Sequence, residues 1–174
     1  SIKYLHTYTL MKTNKIVIII LLISSFYSCK KMEPLSIQRR DYLGSELRID
    51  GYYYDKNYGH FFLYENGVFR TGGSKFQGPL TYVDSFYTYK HPTLPSKAST
   101  AYVWGVYVVD SNQIIIEQWM STDGGPYPTK KYYGTILNDT TIVFNSLWSS
   151  KPTIDTFHFH KFSPKPDSTN NFIK

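Results

Sequence analysis

The fold of this chain is decided by one aromatic-rich stretch, Phe61-Phe62-Leu63-Tyr64-Glu65-Asn66-Gly67-Val68-Phe69-Arg70. Two runs of aromatic and aliphatic residues flank the Asn-Gly pair at 66–67. Asn and Gly tolerate the positive φ angles of a tight turn, so the pair predicts a hairpin between two short strands. The stretch therefore predicts antiparallel sheet built from sequence neighbours.

The same pattern continues on both sides of this hairpin. Apolar and polar residues alternate, and turn residues recur about every ten positions, which is typical of half-buried strands. The pattern predicts strands over 47–54, 61–64, 68–70, 102–109, 114–119, 132–137, 140–145 and 154–162, with a weaker strand near 80–89. We therefore expect an all-β domain of about eight or nine strands, with no amphipathic helix.

Such a sheet closes into a barrel or stacks as a sandwich. The clear connections are short hairpins between neighbouring strands, whereas a Greek-key sandwich needs longer crossovers. The sequence therefore favours an up-and-down, lipocalin-like barrel, and a β-sandwich is the alternative.

A signal segment is predicted before the only cysteine of the chain, Cys29. Lys12 and Lys15 provide a positive start, residues 16–23 are all aliphatic, and small serines lead up to the cysteine. This order resembles the bacterial lipobox, in which signal peptidase II cuts just before a cysteine that carries diacylglycerol. The resemblance implies that 11–28 is a removed signal peptide and that Cys29 binds the membrane through lipid.

Two alternatives for this segment are weaker. A membrane-spanning helix needs about 20 apolar residues, and the apolar run is shorter than that. A secretory signal with an incidental Cys29 would leave an unpaired thiol in an oxidising compartment, whereas acylation would consume it.

Composition predicts the remaining boundaries. We expect residues 1–10 to be an over-extended start, which lies before the true initiator Met11. We expect 29–46 to be a polar tether, 47–163 to be the barrel domain, and 164–174 to be a disordered tail. A mature chain of about 146 residues suits one domain with a buried core.

Charge argues against nucleic acid as a partner. The chain carries 19 Lys and Arg against 13 Asp and Glu, a formal net charge of +6. Lys3, Lys12 and Lys15 precede Cys29 while every acidic residue follows it, so the mature excess is mild and spread out. No basic run is long enough to follow a phosphate backbone.

Aromatic residues are the main binding candidates. Tyr and Trp fill small barrels, but exposed Tyr beside Ser, Asn and Gly loops also binds glycans or proteins. The connection 121–130 is rich in Gly and Pro and carries Tyr127, and 91–99 is the second long connection. Both would otherwise be plain surface loops. The predicted ligand-binding residues are Tyr127, Trp104, Trp119 and Tyr53.

His158 and His160 are weak metal candidates. Two residues apart on a strand, they face the same side and could share an ion. The simpler interpretation is that Phe157 and Phe159 take the apolar face and leave the histidines on the polar one. We expect no metal and no cofactor.

Catalytic patterns are sparse, and we do not expect an enzyme. Glu117 with Asp123, or Asp50 with Asp55, are the candidate carboxylate pairs for glycoside hydrolysis, but such spacing also fits outward-facing charges and turns. The sequence has no Gly-x-Ser-x-Gly motif of a hydrolase nucleophile.

The order of short motifs resembles small lipocalin-like lipoproteins of Gram-negative envelopes. The motifs span most of 47–145 and read Asp50-Gly51-Tyr52-Tyr53-Tyr54, Leu63-Tyr64-Glu65-Asn66-Gly67, Trp104-Gly105-Val106-Tyr107, Ile114-Ile115-Ile116-Glu117-Gln118-Trp119 and Tyr133-Gly134-Thr135-Ile136. The resemblance implies a lipid-anchored barrel in the bacterial outer membrane, facing the periplasm or the cell surface. Its barrel mouth and aromatic rim would bind a small hydrophobic ligand, a glycan or an envelope protein. The alternative is an accessory envelope component with a filled barrel and no ligand.

Overall fold

In the computed structural model, the described residues form eight antiparallel strands that close into a barrel. The described residues are 32–57, 59–72, 79–90, 101–121, 127–148 and 152–174. The strands are β1 (Gly51–Tyr54), β2 (His60–Leu63), β3 (Val68–Thr71), β4 (Trp104–Asp110), β5 (Gln113–Trp119), β6 (Thr129–Asn138), β7 (Thr141–Asn145) and β8 (Ile154–Lys161). Each strand pairs with its sequence neighbours, and β1 also pairs with β8. The predicted up-and-down barrel is confirmed, and the sandwich alternative is wrong.

The two ends of the barrel differ in their connections. At the hairpin end, short turns join β2 to β3, β4 to β5, and β6 to β7. The first of these is the predicted Asn-Gly hairpin, in which the Gly67 amide donates to the Tyr64 carbonyl at 2.9 Å. Gly67 has φ +72°, and a Cβ there would lie 2.2 Å from the Arg40 carbonyl oxygen, so only glycine fits. The chain leaves β1, β3, β5 and β7, and enters β2, β4, β6 and β8, at the opposite end, called here the long-connection end.

Aromatic and aliphatic side chains fill the barrel interior. Strand residues alternate between the two faces of the wall, and every strand contributes to one buried cluster. Phe61 lies within it, with its ring centroid 5.0 Å from that of Phe157 and 5.4 Å from that of Phe69. The buried interior residues are Leu47, Tyr53, Phe61, Leu63, Phe69, Tyr107, Ile114, Ile116, Tyr132, Ile136, Ile142, Phe144, Leu147 and Phe157.

A second apolar cluster covers part of the outer wall. Residues 80–89, expected to form a weak strand, instead form helix α1 (Leu80–Ser85) followed by a π-helical turn (Phe86–Lys90). The strand prediction was wrong because it counted Val, Tyr and Phe and overlooked their spacing. Val83 and Tyr87 are four residues apart, so a helix places both on the face that packs against Tyr52 and Phe62.

The C-terminal residues 164–174 lie against the barrel, although their composition predicts a disordered tail. Pro166 is buried, and the Phe172 ring contacts that of Trp119 at a centroid distance of 6.3 Å. Lys165 Nζ donates hydrogen bonds to the carbonyl oxygens of Leu63 and Ile49. A few apolar residues and one lysine therefore suffice to dock a segment whose overall composition is polar.

Lys165 makes stability depend on pH. Burial lowers its pKa from 10.5 to about 8, so above pH 8 the folded protein releases a proton that the unfolded chain keeps. Below the pH at which the tyrosines of the unfolded chain ionise, between pH 8 and pH 9, we expect Lys165 to make the free energy of unfolding rise by up to about 1.4 kcal/mol per pH unit. Urea titrations at several pH values measure this rise. In Lys165→Met it should disappear, and an unchanged slope in that variant would contradict the assignment.

Several predictions concern residues 1–31, which lie outside the described residues. They are the over-extended start, the signal peptide 11–28 and the acylation of Cys29. Within the described part of the chain, no helix is long and apolar enough to cross a bilayer.

Candidate functional site

The four aromatic residues predicted to bind ligand lie on both faces of the barrel wall. Tyr53 points inward, is 1% exposed, and donates its hydroxyl to two backbone carbonyl oxygens near the hairpin end. Trp104 and Trp119 are buried in the outer cluster, and half-buried Tyr127 packs against the same cluster. The structure therefore does not bring the four together at a barrel mouth, because strand alternation sends Tyr53 to the opposite face.

Residues 32–42, called here the N-terminal strap, cross the outer wall lengthwise. At the long-connection end, Trp119 Nε1 donates to the Glu33 carbonyl oxygen at 2.7 Å. At the hairpin end, the Tyr42 amide donates to the Glu65 carbonyl oxygen at 2.6 Å. Composition predicts a tether over 29–46, whereas residues 32–42 pack along the barrel and 43–46 are exposed.

Glu117 anchors the middle of the strap. Its carboxylate is 1% exposed and accepts three hydrogen bonds, from the Ser36 amide at 2.8 Å, the Ser36 hydroxyl at 2.9 Å and the Ile37 amide at 2.7 Å. A buried carboxylate needs such donors to compensate for lost hydration. Glu117 therefore has a structural role, and Asp123, considered as its catalytic partner, lies outside the described residues.

The second carboxylate pair is also engaged locally. Asp50 accepts two hydrogen bonds from the Arg48 guanidinium, the shorter at 2.6 Å. Asp55 accepts from the amides of Asn57 and Gly59, each at 2.8 Å, and so closes the β1–β2 turn. Both carboxylates thus serve the geometry of their own turns and strands.

The two histidines lie on the outer face of β8, as their spacing predicts. His160 Nε2 is 3.0 Å from Asp84 Oδ2, and Asp84 Oδ1 accepts the Tyr52 hydroxyl at 2.9 Å. Burial raises the pKa of Tyr52, and the bond to Asp84 raises it further. Asp84 therefore joins α1 to β1 and β8, whereas His158 is exposed beside the Tyr54 ring.

A metal site needs more ligands than this arrangement provides. Among the described residues, no three His, Cys, Asp or Glu side chains group closely enough to hold an ion. His160 instead contacts the Asp84 carboxylate through Nε2.

A buried arginine that sequence reasoning did not single out lies beside Trp104. Arg70 is 4% exposed, and its guanidinium carbon lies 5.0 Å from the Trp104 ring centroid and 6.0 Å from that of Tyr87. Its Nε and Nη1, Trp104 Nε1 and the nearby Tyr64 hydroxyl have no hydrogen-bond partner. Burial raises the pKa of Tyr64, and the positive charge of Arg70 offsets part of that rise. Three buried N–H donors thus lie near one another on the outer wall, close to Tyr87 of the π-helical turn.

The described residues also form two surface clefts. One, of about 240 Å³, lies between the strap and β4 and includes Arg40 and Tyr107 in its lining. The other, of about 290 Å³, lies between the β1–β2 turn and β8 and includes Asp55 and His158. Both volumes fall just below the range of about 300–1,000 Å³ usual for ligand pockets.

Comparisons with known proteins assign no family. No family model, no curated protein and no solved structure matches this chain. The resemblance to lipocalin-like lipoproteins therefore stays a prediction, and the barrel itself rests on the strand pairing.

Two charged residues are buried although the sequence predicts that they face solvent. Arg70 and Glu117 are charged residues on strands, where alternation alone predicts solvent exposure. Both are buried because segments distant in sequence cover them. For Arg70 the sequence offers one signal, the scarcity of acidic residues in the stretch that follows it, where Asp84 is the only one up to position 109.

Proposed function

We propose that this protein is a lipid-anchored, non-catalytic component of the bacterial outer membrane that acts through the outer wall of a filled barrel. The observation that carries this proposal is the packing of the interior. It favours the accessory role over the binding of a small ligand inside the barrel.

Aromatic rings occupy the space that an internal ligand would need. Phe61 is fully buried, and its ring contacts those of Tyr53, Phe144 and Trp148 at centroid distances of 5.5–6.2 Å. A small eight-stranded barrel is wide enough either for such side chains or for one small ligand. The Tyr53 hydroxyl is also bonded to the backbone near the hairpin end, which ties one inward-facing ring to that end.

The strap supports an anchored orientation. Three Cα–Cα steps of about 3.8 Å join Cys29 to Met32, which limits their separation to about 11 Å. Met32 pairs with Tyr127 at the long-connection end of the barrel. A lipid on Cys29 would therefore hold this end near the bilayer, where the exposed Lys130 and Lys131 would attract anionic headgroups.

Mass spectrometry of the protein extracted from its own membranes tests the proposal. We expect a mature chain that begins at Cys29, carries the mass of a diacylglycerol group, and holds no apolar adduct under native conditions. A Cys29→Ser variant is the control and should lose both the lipid and the membrane fraction.

Two results would contradict the proposal. An unmodified Cys29 in membrane-extracted protein would exclude the lipid anchor. A stoichiometric apolar adduct, lost on denaturation, would show that the barrel holds a ligand and would favour the alternative function.

A further inference from the structure

Arg70 carries a charge that nothing in the described structure neutralises. The ion pairs of the described residues join Arg48 to Asp50 and His160 to Asp84, and neither involves Arg70. An arginine keeps its proton in proteins, so it cannot escape the cost of burial by becoming neutral. The Trp104 ring supplies a cation–π contact worth about 0.5–2 kcal/mol, whereas burying one ion costs several kcal/mol.

The N–H donors of this cluster also lack an acceptor. Trp119 and Trp148 each donate the indole N–H to an oxygen, at 2.7 Å and 3.0 Å, but the indole N–H of Trp104 has no partner. The adjacent Tyr87 hydroxyl is 3.1 Å from His60 Nε2. Unpaired buried donors are rare in native proteins. The Tyr64 hydroxyl beside Arg70 is a neutral acceptor and leaves the charge unbalanced, so the arrangement calls for an anionic acceptor.

The surrounding sequence supplies no such group. Between 66 and 109 the only acidic residue is Asp84, which is already held by Tyr52 and His160. The same stretch contains four basic residues, Arg70, Lys75, Lys90 and Lys97. The connections before and after α1 therefore cannot bring a carboxylate to the guanidinium, and they add positive charge.

We infer that Arg70 and Trp104 form a binding site for an oxyanion, namely the carboxylate or phosphate group of a small molecule, on the outer wall of the barrel. One oxygen would accept from Arg70 Nε or Nη1 and another from Trp104 Nε1. A bound water could accept a hydrogen bond, but it would leave the positive charge unpaired. This site lies outside the filled interior and does not depend on the lipid anchor.

The three indole N–H groups make the test direct. The ¹⁵N-labelled full chain in detergent micelles is titrated with sodium phosphate and, separately, with sodium acetate, at constant ionic strength kept with sodium chloride. We expect the Trp104 indole signal to move downfield and to saturate with one of the two anions, which identifies the class of oxyanion. The signals of Trp119 and Trp148 should stay in place and serve as internal references.

Two variants complete the design. Arg70→Met removes the charge, keeps a similar volume, and should abolish the saturable shift while the fold survives, because an unpaired buried charge is replaced by an apolar chain. Arg48→Met removes an exposed arginine that already pairs with Asp50 and should leave the shift unchanged.

The inference is overturned by either of two results. One is the absence of a saturable Trp104 shift with both anions in the wild-type chain, which would mean that water, and not an oxyanion, occupies the site. The other is an equal shift in Arg70→Met, which would mean that the anion binds elsewhere. If Arg70→Met fails to fold, Arg70→Lys takes its place and should weaken binding, since a lysine cannot offer the guanidinium fork.

Discussion

Phe61→Ala is expected to lower the free energy of unfolding by about 4 kcal/mol. The Phe61 side chain is fully buried inside the barrel and contacts rings from β1, β3, β7 and β8. Its removal would leave a cavity that the surrounding strands, tied into a closed barrel, cannot collapse to fill. Urea unfolding followed by circular dichroism measures the effect.

Leu137→Ala is the control for this experiment. Leu137 lies on β6 with 60% of its surface exposed, so its truncation should change stability by less than about 0.5 kcal/mol. If Phe61→Ala costs as little as the control, the interior is not packed. A ligand inside the barrel would then again become the better explanation of function.

Glu117→Ala is expected to release the N-terminal strap and to lower the free energy of unfolding by about 3 kcal/mol. The substitution leaves three strap donors, two of them backbone amides, without their acceptor. Hydrogen bonds to a charged group contribute about 1.5–3 kcal/mol each, and part of this is recovered because Ser36 is exposed enough to bind water. Hydrogen exchange of the Ser36 and Ile37 amides should become fast, while exchange in β5 stays slow.

Two further variants show whether the carboxylate is responsible. Glu117→Gln keeps an oxygen acceptor and should lose less stability than Glu117→Ala. Glu65→Ala removes an exposed carboxylate at the hairpin end and should leave the strap amides protected. Unchanged protection of Ser36 and Ile37 in Glu117→Ala would show that other contacts hold the strap.

Release of the strap would also change the proposed orientation at the membrane. With the strap docked, the proposed lipid on Cys29 would hold the long-connection end within a short distance of the bilayer. With the strap free, residues 30–46 would become a flexible tether that spans several times that distance. The Glu117 variants therefore separate anchoring, which should persist, from orientation, which should be lost.

Local signals in the sequence were sufficient to predict the barrel. The hairpin at 64–67 forms because Gly67 takes a positive φ, and this preference operates between near neighbours. Alternation along the strands separates Phe157 from His158 and His160, because successive side chains of a strand point to opposite faces. Short hairpins then leave neighbouring strands little choice of partner, so the meander and its closure follow.

The predictions from sequence that differ from the structure concern segments in which two local signals compete. Residues 80–85 contain Val and Tyr, which favour strands, but the spacing of Val83 and Tyr87 favours a helix. Packing against the outer wall favours the helix, because a helix buries the side chains of Val83 and Tyr87 against Tyr52 and Phe62. Similarly, the polar composition of 164–174 predicts disorder, and docking of Lys165 and Phe172 overrides it.

The sequence by itself determined the strand order, the turns and the face to which each strand residue points, since all of these depend on residues close together in the chain. Only the tertiary structure decided which outward-facing residues are buried. Glu117 is covered by residues 80 and 81 positions away, and Arg70 lies beside Tyr87 of the π-helical turn, 17 positions away. Their burial, and the roles inferred from it, depend on contacts between distant segments, which become visible only when the outer wall and the segments that cover it are in place.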